Sequence, residues 1–197
     1  LSPIGERVVA QMPDADDPLL RHEIYKLILS GASMAYIGLF FGDPAHPAFW
    51  PVLNMAYNWG NPNPDDAYYL APVDADGVYR IVGSRGTVRA IDVQVGSGDF
   101  YTQGGMTMGL ALANYDVDTL QIDAEGHFEV IMSRERPAGH QGDWWPLDEK
   151  ATYLMVRQIA YDWLREVDGR LGIDRLDVSP IRPRLTVAQI HDRLRQI

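Results

Sequence analysis

The apolar residues of this chain change their period near Ala67, and that change constrains the fold more than any other feature. Upstream they recur at helical spacing, as at Leu19, Leu20, Ile24, Leu27 and Ile28. Downstream they alternate, as in TVRAIDVQV, Thr87–Val95. A period near 3.6 gives a helix with one apolar stripe, and a period of two gives a strand with one buried face. The stretch between them, Gly60–Gly86 (GNPNPDDAYYLAPVDADGVYRIVGSRG), divides a helical N-terminal part from a β-rich body.

Ser2-Pro3 reads as a helix start, and PDADD (Pro13–Asp17) ends that first element. Asp17 and Pro18 then start a second helix that continues towards Phe41, with a kink allowed at Gly31 and a stop at Gly42-Asp43-Pro44. Its run Leu27–Phe41, about 15 residues, falls short of the ~20 needed to span a bilayer. It reads as a buried core helix, and no membrane span is expected. Ala48–Trp59 is a third helix candidate despite Pro51.

Tyr68–Pro72 and Val78–Gly83 read as a hairpin joined by Asp74–Gly77. Thr87–Val95 follows, then a glycine-rich loop (Gly96–Gly105) and a strand or buried segment at Met106–Ala113. Thr119–Asp123 and His127–Ser133 read as a second hairpin, and Arg134–Trp145 as a long polar loop. Strands at Thr152–Tyr161 and Gly172–Asp177 complete the body. Pro180 and Pro183 mark a connector, and Thr186 and Gln189 stand at capping-box spacing before a last helix. Short strands at close turn spacing, without βαβ alternation, mean a sandwich or open barrel. The N-terminal helices are expected on one face or end of it.

The formal net charge of −10 argues against nucleic acid or an anionic membrane surface as the main partner. The chain has no cysteine, which excludes disulfides, thiolate nucleophiles and Cys-ligated zinc. That suits the cytoplasm and is compatible with export. A first residue of Leu1 rather than Met reads as a trimmed chain.

The ordered motifs NPDDAYY, YRIVGSRGT, AEGHFEVIMSRERP, GDWWPL, LMVRQIAYDWLREV and IDRLD resemble the bacterial domain-of-unknown-function family 1214 between Asn61 and Asp177. The resemblance implies a jelly-roll-like β-sandwich, in agreement with the period-two reading. With the helices read from the sequence this gives an α+β chain with a mainly β core, an antiparallel jelly-roll-like β-sandwich with N-terminal helices and a C-terminal helix: residues 1–60 a helical segment packed on the sandwich, 61–178 the sandwich, and 179–197 a connector and helix, one structural domain overall. The resemblance supplies no reaction.

Asn63, Asp65, Asp66, Tyr68 and Tyr69 form the densest polar-aromatic cluster. Asn63 and Asp65 suit turn chemistry; Asp66 and Tyr69 are the candidates for ligand contact. Asp143, Trp144 and Trp145 suit either a stacking platform or a loop pinned to the core. Arg157, inside the apolar run LMVRQIAY, is expected to meet a carboxylate, with Asp66, Asp143 and Asp162 as candidates, or an anionic ligand group. Arg80 invites the same argument. His140 is the histidine to test as an acid or base, and Tyr101 stands in a loop suited to closing a pocket mouth. The five histidines form no HxH or HExxH pattern, so neither metal nor cofactor is expected.

Three functions fit. The first is an enzyme acting on a small hydroxylated or lipid-like molecule through Asp66, Tyr69, Arg157 and His140. The second is a carbohydrate or small-ligand binding module using Asn63, Tyr101, Asp143, Trp144 and Trp145 beside Tyr69. The third is a structural or interaction domain of a longer protein, or a homo-oligomer, with the long N-terminal helix as docking element.

Overall fold

The computed structural model describes residues 2–52, 63–98 and 109–196. Among them are three α-helices, α1 (Ser2–Val9), α2 (Pro18–Phe41) and α3 (Val187–Leu194). The nine strands are β1 (Trp50–Val52), β2 (Asp66–Pro72), β3 (Tyr79–Ser84), β4 (Ala90–Gly96), β5 (Ala111–Asp116), β6 (His127–Ser133), β7 (Asp143–Pro146), β8 (Tyr153–Ile159) and β9 (Arg170–Arg175).

The strands form a five-stranded sheet, ordered β1-β2-β8-β4-β5, and a four-stranded sheet, ordered β7-β6-β3-β9. Every pairing is antiparallel except β6 with β7. The fold is therefore α+β with a mainly antiparallel two-sheet core. The chain crosses between sheets at most connections, in the manner of a jelly roll. Period-two patterning positions the core: Ile91, Val93 and Val95 of β4 meet Leu154 and Val156 of β8, Ile81 of β3 and Val130 and Met132 of β6. Strands β3, β4 and β8 bury alternate residues over most of their length, which turns one apolar face inward.

The outer face of the five-stranded sheet is not wholly polar. Val52, Leu70 and Tyr153 are buried there, with Trp50, Tyr68 and Met155 packed against them.

Several expectations need correction. The segments 68–72 and 78–83 are strands but not a hairpin, because β2 and β3 belong to different sheets. The Asp74–Gly77 turn exists, with Gly77 N–H donating to the Asp74 carbonyl at 2.9 Å, but it carries the chain across the sandwich. Val117–Thr119 is a 3-10 turn, so the second expected hairpin has only its β6 arm. Asp143, Trp144 and Trp145 lie in a strand, not a loop. Trp50–Val52 is strand, which displaces the start of the third helix candidate, and its remainder lies outside the described residues.

The helix ends follow the sequence signals. The Asp17 carboxylate accepts the Leu19 N–H at 2.8 Å, with Pro18 beginning α2. Thr186 and Gln189 form the capping box of α3. α2 runs unbroken through Gly31. It is not a buried core helix: of its residues only Ile24 and Gly38 are buried. Its main contacts among the described residues are α1 and α3, rather than a sheet face. At its C-terminus the Phe40 and Leu39 carbonyls accept from Arg182 at 3.2 Å and Arg193 at 2.7 Å. Cations there complement the negative end of the helix dipole.

Candidate functional site

The sequence-selected residues separate into distinct places. Register and side-chain alternation put Asp66, Tyr68 and Arg157 on the outer face of the five-stranded sheet, with Tyr68 opposite Arg157 across β2 and β8. Tyr68 Oη donates to Asp66 Oδ2 at 3.0 Å. Asp66 Oδ1 is buried and, among the described residues, has no hydrogen-bond partner. Desolvation, then the bonded Asp66 carboxylate, push the Tyr68 phenol up. Arg157 is half-buried and donates to the amide oxygen of Gln94 at 2.6 Å, so its described hydrogen-bond partner is not the expected carboxylate. Arg80 does meet a carboxylate, Asp174 Oδ2 at 2.9 Å.

Tyr69 projects the other way, onto the main core. It borders a cavity of about 230 Å³ with Phe49, Val156, Gln158 and Leu171. Burial raises its phenol pKa, helped by the Asp168 charge. Asp66 and Tyr69 are thus adjacent in sequence terms and on opposite faces of one sheet, as period-two geometry requires of residues three apart.

Asn63 is an exposed turn residue: its side-chain oxygen accepts the Asp65 N–H at 3.1 Å. Trp145 is buried and stacks on Tyr115, with centroids 5.0 Å apart. Trp144 Nε1 donates to Ser133 Oγ at 3.0 Å. The tryptophan pair therefore pins β7 to the sandwich and offers no open stacking platform. Tyr101 lies outside the described residues.

His140 and Asp143 do meet, at a cleft of about 850 Å³ on the four-stranded sheet. Val82, Gly83 and Phe128 of β3 and β6 line it, with Glu129 beside them. Gln121, Ile122 and Asp123 come from the segment before β6, and His140 and Gly142 from the segment entering β7. Asp143 ties these two walls together: its carboxylate accepts the Gln121 N–H at 2.6 Å and the Gln121 side-chain amide at 3.3 Å.

Two imidazoles face this cleft. His140 Nε2 lies 3.0 Å from the Asp143 carbonyl, which can only accept, so Nε2 is the donor in that contact. His127 Nδ1 lies 3.4 Å from Asp123 Oδ2. The Asp123 carboxyl is held below its usual range, first by the His127 backbone N–H, which donates to Oδ1 at 2.7 Å. Three carboxylates (Asp123, Glu129, Asp143) outnumber the two imidazoles. This cleft suits hydroxyl groups and cations and repels anions.

Sequence reasoning found His140 and Asp143 and missed Asp123, Glu129 and His127. The available signal was the i, i+4 spacing of Asp123 and His127 around the Gly126 turn, which reads first as turn chemistry.

Among solved structures, the chain matches an uncharacterised protein from Burkholderia cenocepacia with a TM-score of 0.83 and 27% identity. The match covers 98% of this chain and 52% of that one, so this chain spans about half the Burkholderia protein. The VPA0106 protein from Vibrio parahaemolyticus matches with a TM-score of 0.41 and 16% identity, over 61% of this chain and 33% of that one. No family model matches the chain, and no curated protein matches it in sequence. The Burkholderia match shows the fold to be shared.

Proposed function

We propose that this β-sandwich binds a small hydroxylated molecule, neutral or cationic, in the cleft between Asp123, His127, His140 and Asp143. The observation that carries the reading is the convergence of two imidazoles and three carboxylates around the apolar surface of Val82. Carboxylates take hydroxyl or ammonium hydrogens, imidazoles bond to hydroxyl groups, and the apolar surface takes a hydrocarbon or sugar-ring face.

The test is NMR titration of the histidine side-chain resonances with a panel of monosaccharides, polyols and amino alcohols. Saturable shifts at His127 and His140 are expected, lost in His127→Ala. A panel with no saturable response, or a response unchanged in His127→Ala, rejects the cleft as the site.

A second reading rests on Asp66 Oδ1, which is buried and without a hydrogen-bond partner among the described residues. It places ligand contact on the outer face of the five-stranded sheet, at Asp66, Tyr68 and Arg157. The same panel separates the two, since ligand shifts lost in Asp66→Asn but retained in His127→Ala select this face.

A further inference from the structure

We infer that α2 is the docking surface for a second polypeptide body of about this chain's own length, the counterpart of the part of the Burkholderia protein outside the match. At 24 residues α2 is about 36 Å long. Leu19, Leu27, Leu29, Tyr36 and Phe41 are each between 48% and 66% exposed. At about 100° per residue these side chains spread over roughly half the circumference. α1 occupies one flank near the N-terminal end, where Glu6 meets Arg21 at 2.8 Å and Tyr25 at 2.7 Å. α3 meets the opposite end, through Arg193. An apolar face this wide belongs against a larger core or in a bilayer, and the sandwich is not among the main contacts of this helix.

Two observations choose the occupant. First, 98% of this chain, a share that must include most or all of α2, recurs in a protein nearly half of whose length lies elsewhere. This fold therefore occurs joined to about as much chain again, enough by length to cover a helix of about 36 Å. Second, the bilayer fits poorly. α2 is long and apolar enough to cross one by length and composition. Its charge-free run, Leu27–Phe41, is nevertheless only about 22 Å, against ~30 Å of hydrocarbon. A span of ~30 Å counted back from Phe41 would also draw in Lys26 and Glu23, which is costly in hydrocarbon.

The test has two arms. In the Burkholderia crystal structure, positions aligned with Leu27, Leu29, Tyr36 and Phe41 should be exposed in the matched half alone and buried once the rest of that chain is present. Continued exposure there, or cover supplied by a second copy, overturns the inference.

In solution, the 197-residue chain should enhance the fluorescence of an apolar-surface dye. Leu27→Ser, Leu29→Ser and Tyr36→Ser combined should lower that signal by about twofold or more without changing the far-ultraviolet spectrum. A stable dimer in light scattering that the triple variant abolishes would make the occupant a second copy. Co-flotation with mixed phosphatidylcholine and phosphatidylglycerol vesicles would make it a bilayer. Either result overturns the inference. These substitutions lie away from the cleft, so their outcome is independent of ligand binding there.

Discussion

Tyr79 shows how much one side chain can organise. Its ring is fully buried, and its hydroxyl accepts the Asp74 N–H at 2.7 Å while donating to the Pro44 carbonyl at 3.0 Å. The Arg175 guanidinium lies 5.6 Å from the ring centroid and is held by both oxygens of Asp177, at 2.9 and 3.1 Å. One residue thus joins the loop after α2, the Asp74 turn and strand β9. Tyr79→Phe leaves two backbone groups without this partner and should cost about 1–3 kcal/mol in urea unfolding. Burial pushes the Tyr79 phenol up to about 12. The folded value lies above the unfolded one, near 10. Its contribution is therefore complete below pH ~10 and lost as pH rises towards 12. Asp177 and Asp118 act in the opposite direction. Their hydrogen bonds to Arg175 and Arg85 hold both carboxyls below the usual range. Their contribution is present above pH ~4 and lost as pH falls through the depressed values. Urea midpoints across pH should fall at both ends. Asp177→Asn should flatten the acid limb and Tyr79→Phe the alkaline one.

At the scale of elements, Gln158 links the two sheets. It is buried on the inner face of β8, and its amide exchanges two hydrogen bonds with Gly169, both at 2.9 Å, just ahead of β9. Gln158→Leu keeps most of the volume but strands the Gly169 N–H and carbonyl. It should cost about 2–4 kcal/mol by chemical denaturation. The approach at Gly169 is tight: a Cβ there would press on the tip of the Ile91 side chain and stand 3.0 and 3.1 Å from the Arg85 and Ser84 carbonyls. The sequence makes such strands visible and their partners invisible. Ile91, Val93 and Val95 announce a strand because alternation follows directly from one buried face. Nothing in Asp74–Gly77 distinguishes a reversal within one sheet from a crossing to the other, since the same turn residues serve both. The β7 strand is obscured for another reason. It is four residues long, pairs in parallel, and is surrounded by charged and glycine residues that read as loop. The site suffered likewise. Asp66 and Arg157 share a face as their strand positions allow, while Tyr69 goes inward by the same alternation. The pairing of Asp123 with His127 reads as part of a cleft only once the β7 lead-in brings His140 alongside.

At the scale of the whole molecule, composition misled about α2. An apolar run signals burial without saying what does the burying, and this sandwich already fills its core from its own two sheets. The way α2 is held has a mechanical consequence. Its C-terminal end is joined to residues 179–193 by polar links: His46 Nε2 to the Ser179 carbonyl at 3.1 Å, Arg182 to Asp43 at 3.6 Å and to the Phe40 carbonyl, and Arg193 to the Leu39 carbonyl. Such links are directional but few, and the Arg182–Asp43 pair is screened by salt. Arg182→Ala with Arg193→Ala should broaden the distance distribution between spin labels on α2 and on β8, with little change in the unfolding midpoint of the sandwich. An unchanged distribution would mean that packed side chains fix the helix. A broadened one would make the helix a lever about 36 Å long, clasped at one end by residues 179–193. A cut in the connector after Val178 would then loosen the clasp while the two sheets kept their register.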